Sequence, residues 1–566
     1  MLLLGALLIA CGFLAFSYQY RQFTIDDAFI SLRYSENLVR GAGLVYNPGE
    51  RVEGYTNFAW VILIAAAHAA GLDSLTAAKV LGTLFDLGTL ALLIWVTARW
   101  WPRSAFPGFP LVPAALLAVN AGFIYWGVGG LETAMFVFLV TAGLIRLVHE
   151  ASVLGAPAAS PDPGTPAAPG SSSSIHRTFP IAAVLFALAT LTRPDGAVLF
   201  AGGLAGWGLW ILARRRLSRP LVGWWLRSLT AYAAIVGAHL AFRYLYYGAW
   251  VPNTVSAKIQ EAAGLQIHWT AVTDWLRPWG LIEAGTVAGW FGVLPDVPWW
   301  ASALSALTCP AAPLVVIGLA AMRRHVQAWI GTGAIVVWLV YLAWILPDWM
   351  PGWRYYLPIT PLVILLMAGG FEHLIAWIRR TSATPLRWVL ATGVGLGWAG
   401  LLLLSYGETE RQLPNVAAHA FIVAHSRAAG LYLRAHAPST VTLAVMDAGA
   451  IPYYSGLYTI DYGGLADKHM AQVPYRPFSF DKGDGVVRHY PGLRSDTDYL
   501  IARQPDFVQL SGRMLPDGRN AGHSPELALV YQALLKEGSY DLAHPVLYDE
   551  PVQLIIVKRQ DSPWRP

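Results

Sequence analysis

The sequence predicts a polytopic α-helical membrane protein with a C-terminal extracytoplasmic α/β domain, and three observations predict this class. Of its 566 residues, 55% are hydrophobic and only 13% are charged, whereas soluble proteins carry about a quarter charged residues. Hydrophobic runs long enough to cross a bilayer recur from the N-terminus to about residue 405 and then stop. Beyond that point short β-like runs alternate with helical stretches, which is typical of a mixed α/β domain.

The hydrophobic runs predict about eleven transmembrane helices in residues 1–405, because a span needs roughly 20 apolar residues and about 17 can suffice. With the N-terminus inside, every basic cluster in the short loops falls inside, as the positive-inside rule requires. The first loop, residues 19–74, and the soluble domain, residues 406–566, then fall outside. The predicted spans are 1–18, 75–98, 112–129, 131–148, 179–192, 196–213, 221–246, 301–322, 327–346, 356–378 and 386–405.

Two further segments of this module are not counted as spans. Phe58 to Ala70 is apolar but only about a dozen residues long, which is the length of an interfacial or re-entrant helix. Counting it as a span would move Arg99 and Arg103 outside, so we expect a helix that lies in the membrane surface. The cytoplasmic loop 150–178 contains the low-complexity run Gly155–Ser174, rich in Ala, Pro, Gly and Ser, and we expect it to be disordered.

Composition and motifs exclude several classes of function. The net charge of +5 comes from the short loops, and the C-terminal domain is nearly neutral, so nucleic-acid binding is not expected. Cys11 and Cys309 lie in apolar segments, which excludes a disulfide framework and a cysteine metal site, and we expect the first span to be a retained anchor. Walker, HExxH and CxxC motifs are absent, and no GxSxG is placed as a nucleophile elbow.

The first outer loop contains an adjacent acid pair, Asp26 and Asp27. Such a pair at a membrane surface could deprotonate an acceptor hydroxyl or help to bind a divalent cation. The alternative is structural, because Thr24 followed by Asp27 resembles a capping box at the start of a helix. Glu132 lies on the same side of the membrane at the outer end of two spans, where an acid needs water, a partner or a cation. The local pattern leaves these interpretations open.

Four basic residues also lie near the outer membrane surface in this topology. Arginine is suited to binding a phosphate group and lysine supplies a compact positive charge. Each could equally be an interfacial anchor that extends to lipid headgroups, although for the group at least one phosphate ligand is expected. The four candidates are Arg193, Arg243, Lys258 and Arg354.

Aromatic and amide residues crowd the same outer loops. Sugars bind to aromatic faces together with amide and carboxylate hydrogen bonds, so these residues are candidates for a sugar site. Aromatic belts at membrane interfaces have a similar composition and are the alternative. The candidates for substrate binding are Tyr34, Tyr55, Asn57 and Asn253.

The run DDAFISLRYSENLVRGAGLVYNPGERVEGYTNF, residues 26–58, resembles the first outer loop of polyprenyl-phosphate-dependent glycosyltransferases of the GT-C superfamily. Within that superfamily it is most similar to the mycobacterial terminal arabinofuranosyltransferase and its bacterial relatives. The resemblance keeps its order through most of the chain. Further matching segments are Gly130–Thr133, Leu191–Gly196, Phe242–Tyr244, Pro252–Thr254, Met350–Arg354 and Asp447–Gly456.

The resemblance implies a GT-C-like bundle that transfers a sugar from a polyprenyl-phosphate donor to an extracytoplasmic glycan, lipid or protein. It implies Asp26 or Asp27 as the general base and Glu132 as a second outer acid. It also implies that Arg193, Lys258 or Arg354 holds the donor phosphate, and that the displacement proceeds with inversion. The sugar would be arabinofuranose or another pentose or hexose, although Trp353 stands where the family commonly has glycine.

A transporter or flippase and a glycan receptor are the alternatives to an enzyme. A transporter or flippase of lipid-linked sugars would be expected to show repeated halves and polar residues near the midplane. The sequence has no internal repeat, and its polar residues gather at one face. A membrane-anchored glycan receptor would leave the acid-rich first loop unexplained. The sequence therefore favours the glycosyltransferase.

Overall fold

The computed structural model of this chain describes most of its residues, and the statements below concern only that part. The described residues are 2–104, 107–154, 179–215, 217–261, 311–345, 350, 353–381, 384–474, 476–481, 487–493, 495–511, 513–514, 520–521, 525–549, 554–562 and 564. The predicted disordered run Gly155–Ser174 lies outside them.

Helices account for nearly all of the chain up to residue 436, and strands begin only after it. The helices are α1 Leu2–Gln19, α2 Ala28–Val39, α3 Phe58–Ala69, α4 Ser74–Trp100, α5 Val112–Ala118, α6 Ala121–Val128, α7 Thr133–Leu154, α8 Ile181–Thr192, α9 Gly196–Arg214, α10 Arg219–Tyr247, α11 Asn253–Glu261, α12 Ala311–Met322, α13 Val326–Trp344, α14 Thr360–Thr381, α15 Thr384–His436, α16 Ala450–Ser455, α17 Thr497–Ala502 and α18 Pro525–Glu537. The strands are β1 Thr442–Val445, β2 Tyr458–Asp461, β3 Arg476–Asp481, β4 Val487–Leu493, β5 Phe507–Ser511, β6 Arg513–Met514, β7 Asn520–Ala521, β8 Tyr540–Asp541, β9 Leu547–Asp549 and β10 Leu554–Arg559.

The helical part is a multi-pass membrane bundle, as the hydrophobic runs predicted. Among the described residues eight helices are long and apolar enough to cross a membrane, and the bent pair of α5 and α6 makes a ninth. Helices α3, α8 and α12 are apolar but shorter, with 12 residues each. Each predicted span has a helix at its place, although 301–310 lies outside the described residues. The predicted class of fold is confirmed.

Two details of the helices differ from the prediction. The expected single span 112–129 is two helices bent by 64°, and the side chain of Asn120 caps the second by accepting from the N–H of Phe123 at 3.1 Å. From Pro414 onward the sequence pattern predicts short β-like runs, and up to His436 this prediction is wrong. Helix α15 continues for 53 residues with Pro414 inside it. Proline removes one helical hydrogen bond, and here the rest of α15 keeps the helix continuous.

Glycines let pairs of helices approach closely within the bundle. A Cβ at Gly206 of α9 would overlap the backbone carbonyl of Trp329 on α13, and Gly333 of α13 meets Gly202 and Gly206 in return. Gly202 and Gly206 are four residues apart and therefore share one face of α9. Small residues at this spacing let membrane helices pack through close van der Waals contact.

The C-terminal region folds around a sheet of six strands, with the order β2-β1-β5-β10-β8 and with β9 paired to β10. Strand β1 is parallel to β2 and β5, whereas β10 is antiparallel to its neighbours. The strands predicted at 441–446, 507–510 and 552–557 correspond to β1, β5 and β10. The carboxyl ends of the three parallel strands therefore lie at one edge of the sheet.

Candidate active site

The acid pair lies in a short connection between α1 and α2 that is fixed from two sides. Lys79 of α4 donates from Nζ to the carbonyl of Arg21 at 2.7 Å and to that of Phe23 at 2.5 Å. The N–H of Ile25 donates to the carbonyl of Gly129 at 3.2 Å. These contacts place the acid pair beside the glycines that precede Glu132.

Asp26 binds the start of a helix in the C-terminal domain. Its Oδ1 accepts from the N–H of Ala450 at 2.9 Å, and a Cβ at Gly449 would overlap its carboxylate. Burial and the charges of Asp447 and Asp27 raise the pKa of Asp26 to about 7, although the N–H groups of Ala450 and Gly449 act in the opposite direction. Both the fold and the neighbouring carboxylates therefore constrain this side chain.

Asp27 occupies the N-cap position of α2 but does not cap it. In the described geometry no helix N–H donates to its side chain, so the capping alternative does not account for this residue. Asp73, the N-cap of α4, provides the contrast, because its Oδ2 accepts from the N–H of Thr76 at 2.9 Å. The carboxylate of Asp27 lies instead near Asp447, whose pKa its charge raises together with the surrounding protein.

Glu132 stands at the centre of a buried polar cluster. Its Oε2 accepts from Nδ2 of Asn57 at 2.8 Å, and Asn57 also donates to Oγ of Ser31 at 3.0 Å. Its Oε1 lies 3.5 Å from Nη1 of Arg193, whose Nη2 lies 2.9 Å from Oδ2 of Asp195. Ser31 is four residues after Asp27 on α2, so one helical turn connects this cluster to the acid pair.

A second arginine joins the cluster through an aromatic ring. The guanidinium carbons of Arg193 and Arg354 lie 5.3 Å and 5.1 Å from the ring centre of Tyr355, and Arg354 also lies 5.1 Å from that of Trp126. Arginine on aromatic faces is attracted by the ring quadrupole. The backbone of Trp353 is left-handed, with φ 53° and ψ 42°, a conformation that glycine adopts without strain. The glycine that the resemblance implies at this position would therefore fit the observed backbone.

Of the other two predicted phosphate ligands, Arg243 forms a separate ion pair with Glu53. Nε of Arg243 donates to Oε2 of Glu53 at 2.6 Å, and its Nη2 lies 3.1 Å from Nε2 of His239. Arg243 therefore pairs α10 with the first outer loop, away from Arg193. Lys258 belongs to α11, and its side chain lies outside the described part of the chain.

Three of the four predicted substrate-binding residues form hydrogen bonds with other parts of the protein. The hydroxyl of Tyr34 donates to the carbonyl of Val52 at 2.6 Å, and that of Tyr55 lies 3.1 Å from the hydroxyl of Tyr247. Asn253 binds the C-terminal domain, as described below. Only Asn57 lies in the cluster around Glu132.

The first outer loop and the C-terminal domain are interlocked by buried hydrogen bonds. Arg33 of α2 donates to the carbonyls of Pro452 at 2.7 Å and Leu457 at 2.8 Å. The hydroxyl of Tyr46 donates to the carbonyl of Ala448 at 2.6 Å. Buried charged hydrogen bonds of this kind are among the stronger ones in proteins. The soluble domain is thus part of the structure that carries the acid pair.

Asn253 makes further hydrogen bonds across this interface, which we call the Asn253 clamp, and substitutions of Asn253 test them. Its Nδ2 lies 3.0 Å from the carbonyls of Gly464, Leu465 and Asp467. We expect Asn253→Ala to lower the free energy of unfolding by about 1–3 kcal/mol, the cost of unsatisfied buried groups. Asn253→Asp should lower it further, because a carboxylate would face three carbonyl oxygens.

Thermal unfolding in detergent micelles measures both changes. The control is Asn415→Asp, since Asn415 makes an exposed hydrogen bond on α15. An Asn253→Asp protein that melts at the wild-type temperature would contradict the clamp.

Several side chains of the site were not predicted from the sequence. The sequence assigns no role to Asp447, although it lies in a segment that matches the family, nor to Tyr355, Trp126 and Gln509. Within the described residues, no group of three His, Cys, Asp or Glu side chains is placed to hold a metal ion. Asp26 and Asp447 come close through the fold alone, since the partner of Asp26, Ala450, is 424 residues away in sequence.

The chain has a multi-pass membrane fold of the GT-C type, the type that its first outer loop resembles. The structure of ArnT from Cupriavidus metallidurans bound to undecaprenyl phosphate superposes with a TM-score of 0.55 at 12% identity, covering 99% of this chain and 98% of that one. The apo oligosaccharyltransferase of Archaeoglobus fulgidus superposes with a TM-score of 0.52 at 12% identity, covering 89% of this chain and 69% of that one. These likenesses show the fold, and they confirm the resemblance stated from the first outer loop.

In sequence, the chain is similar to a terminal beta-(1->2)-arabinofuranosyltransferase of Corynebacterium glutamicum. The two are 28% identical over 289 residues, which are 48% of this chain and 39% of the relative. The chain thus spans about two fifths of that relative's length. Residues 415–553 match the domain of unknown function DUF8728, which covers the end of α15 and most of the sheet.

Proposed function

We propose that this chain is a membrane glycosyltransferase that transfers a sugar from a polyprenyl-phosphate donor to an acceptor hydroxyl. One observation carries the proposal: an acid pair lies one helical turn from a buried cluster containing two arginines. Ser31, one helical turn after Asp27, is joined through Asn57 to Glu132 of that cluster by hydrogen bonds. General-base catalysis needs a carboxylate at the acceptor, and a departing phosphate needs positive charge.

In the proposed reaction Asp27 takes the proton of the acceptor hydroxyl. The acceptor oxygen forms a bond to the anomeric carbon as the bond from that carbon to the phosphate oxygen breaks. Polyprenyl phosphate leaves with the electron pair, near Arg193 and Arg354. The single displacement inverts the anomeric centre, and the enzyme contributes mainly positioning and charge stabilisation.

Asp27 is a better candidate for the base than Asp26. Asp26 accepts a hydrogen bond from the backbone at Ala450, which ties it to the fold, although burial and the neighbouring carboxylates raise its pKa to about 7. Asp27 lies one helical turn before Ser31, which Asn57 joins to Glu132, and its charge acts on Asp447. Glu132 is held by Asn57 and Arg193, so we assign it the role of fixing Arg193.

The donor and the orientation are part of the proposal. ArnT was solved with undecaprenyl phosphate, which supports a polyprenyl-phosphate donor, and the similarity to an arabinofuranosyltransferase supports arabinofuranose or another pentose or hexose. The positive-inside distribution of arginines supports a site and C-terminal domain on the extracytoplasmic face. The acceptor would then be an extracytoplasmic glycan, lipid or protein.

The test is sugar transfer by the full chain in lipid nanodiscs, with a panel of polyprenyl-phosphate sugars and a simple glycan acceptor. We expect acceptor-dependent release of polyprenyl phosphate from at least one donor. If lipid-linked sugars bind but no donor of the panel releases polyprenyl phosphate, a transporter or flippase takes the place of the enzyme.

The pH profile of that reaction gives a second prediction. The pKa of Asp26 is raised to about 7, partly by the neighbouring carboxylates, so the cluster takes up protons as the pH falls through neutrality. We expect kcat to decrease below about pH 7, because neighbouring carboxylates share the protons that they take up, so the ionised fraction of the base falls. Asp26→Asn removes one negative charge beside Asp27, which makes Asp27 easier to ionise.

The midpoint of the Asp26→Asn profile should therefore lie at lower pH than that of the wild type, with measurable activity kept. The asparagine carbonyl can still accept from the N–H of Ala450, so this hydrogen bond to the C-terminal domain is preserved. Initial rates between pH 5 and 9 at saturating donor measure the midpoint. A midpoint that stays in place or moves to higher pH would show that Asp26 does not influence the base.

A further inference from the structure

The C-terminal domain places one carboxylate at the proposed base. Asp447 follows the carboxyl end of β1, whose neighbours β2 and β5 run parallel to it. Ligands of α/β sheets bind in the crevice outside the carboxyl ends of such strands. Here that edge faces the first outer loop, because Asp26 accepts from Ala450 just beyond it.

The side chain of Asp447 is solvent-exposed yet surrounded by protein, as a group lining a cavity is. The charge of Asp27 acts on it directly and raises its pKa. It is therefore accessible to a ligand and close to the proposed base. A cluster of carboxylates alone does not identify a ligand, so a second feature is needed.

Gln509 on β5 supplies that feature. It is only 4% exposed, and its Nε2 lies 3.4 Å from Oδ2 of Asp447. Among the residues that the structure describes, no donor reaches its Oε1. A buried amide oxygen without a donor is costly, and it gains a partner when a hydroxyl group enters the site. Asp447 and Gln509 together form the pair of a carboxylate and an amide that suits a sugar hydroxyl.

We infer that Asp447, positioned by Gln509, binds a hydroxyl of the acceptor sugar next to the one that reacts. The inference rests on the proposed function, because it takes Asp27 as the base. One acceptor hydroxyl loses its proton to Asp27, while a neighbouring hydroxyl donates to Asp447. The C-terminal domain thereby orients the acceptor at the reacting carbon of the donor.

Steady-state kinetics with the full chain in nanodiscs separate this role from catalysis. The probes are a short synthetic oligo-arabinofuranoside and an oligomannoside as acceptors. Asp447→Asn is expected to raise the KM for the acceptor about ten- to a hundredfold, the range of one charge-assisted hydrogen bond. The KM for the lipid-linked donor should change by less than about twofold. Gln509→Met keeps the side-chain length and should give a smaller rise in acceptor KM.

The matched control is Asp498→Asn, an exposed acidic residue of α17, which should leave both KM values at wild type. An Asp447→Asn protein with an unchanged acceptor KM, or with donor KM changed as much as acceptor KM, overturns the inference. Equal melting temperatures of the two variants exclude a fold defect as the cause.

Saturation-transfer NMR with the same oligosaccharides keeps the test independent of turnover. The wild type should show transfer to the sugar protons, and Asp447→Asn should lose most of it. If wild type releases no polyprenyl phosphate, the proposed function fails. The NMR comparison still decides the acceptor site, since equal signals from both proteins would overturn it.

Discussion

Asp27→Asn is expected to lower kcat for sugar transfer at least about a hundredfold, the scale of lost general-base catalysis. The amide of asparagine cannot take the proton of the acceptor hydroxyl. The KM values should change little, because the shape and hydrogen-bonding capacity of the side chain are nearly kept. The melting temperature should stay near that of the wild type, because asparagine is as good a residue as aspartate at a helix N-cap position. Single-turnover transfer at saturating donor and acceptor measures the chemical step.

Two matched variants make this result specific. Asp73→Asn changes another outer-loop aspartate that does cap its helix, and asparagine caps as well as aspartate, so neither activity nor stability should change. Asp26→Asn should keep measurable activity. If Asp27→Asn retains more than about a tenth of wild-type kcat while Asp26→Asn loses a hundredfold, the roles of the two aspartates are reversed.

Arg193→Gln should have the second-largest effect, on both stability and donor binding. The guanidinium lies between Glu132 and Asp195 and is 12% exposed, so its loss leaves two carboxylates facing each other. Breaking such a buried pair costs about 3–5 kcal/mol. The KM for the donor should rise about ten- to a hundredfold, because a charge-assisted contact to phosphate is lost.

A double variant separates the two effects. Glu132→Gln combined with Arg193→Gln removes one of the repelling charges, so the melting temperature should recover part of its loss. Donor affinity should not recover, because the cation is still absent. Arg40→Gln, which removes the solvent-exposed partner of an ion pair with Glu36, is the control and should change neither. A double variant that binds donor like wild type would show that Arg193 only supports the fold.

Hydropathy and loop charge were enough to predict the membrane bundle, because each span is a local property of about 20 residues. The polar first loop was also visible locally, and with it Asp26, Asp27 and Asn57. The local sequence does not show which polar side chains of the outer loops form hydrogen bonds within the protein. Tyr34, Tyr55 and Asn253 have the composition of a sugar site, yet they form hydrogen bonds within the protein. Their partners are the carbonyl of Val52, the hydroxyl of Tyr247 and carbonyls of the C-terminal domain.

The remainder of the site depends on contacts far apart in sequence. Asp447 comes close to the acid pair only because the C-terminal domain docks there. No local sequence pattern predicts that contact. The extent of α15 was missed for a related reason, since Pro414 normally marks a helix end and packing overrides it here. Trp353 shows the opposite case, in which a departure from a family pattern points to a left-handed backbone.

The hydrogen bond between Asp26 and Ala450 has a consequence for the synthesis of the protein. The two residues are 424 positions apart, and ribosomes add about 5–20 residues each second. The acid pair must therefore wait about 20 to 85 s for the segment that completes its surroundings. A nascent or prematurely terminated chain can insert its first spans, but it has no finished site.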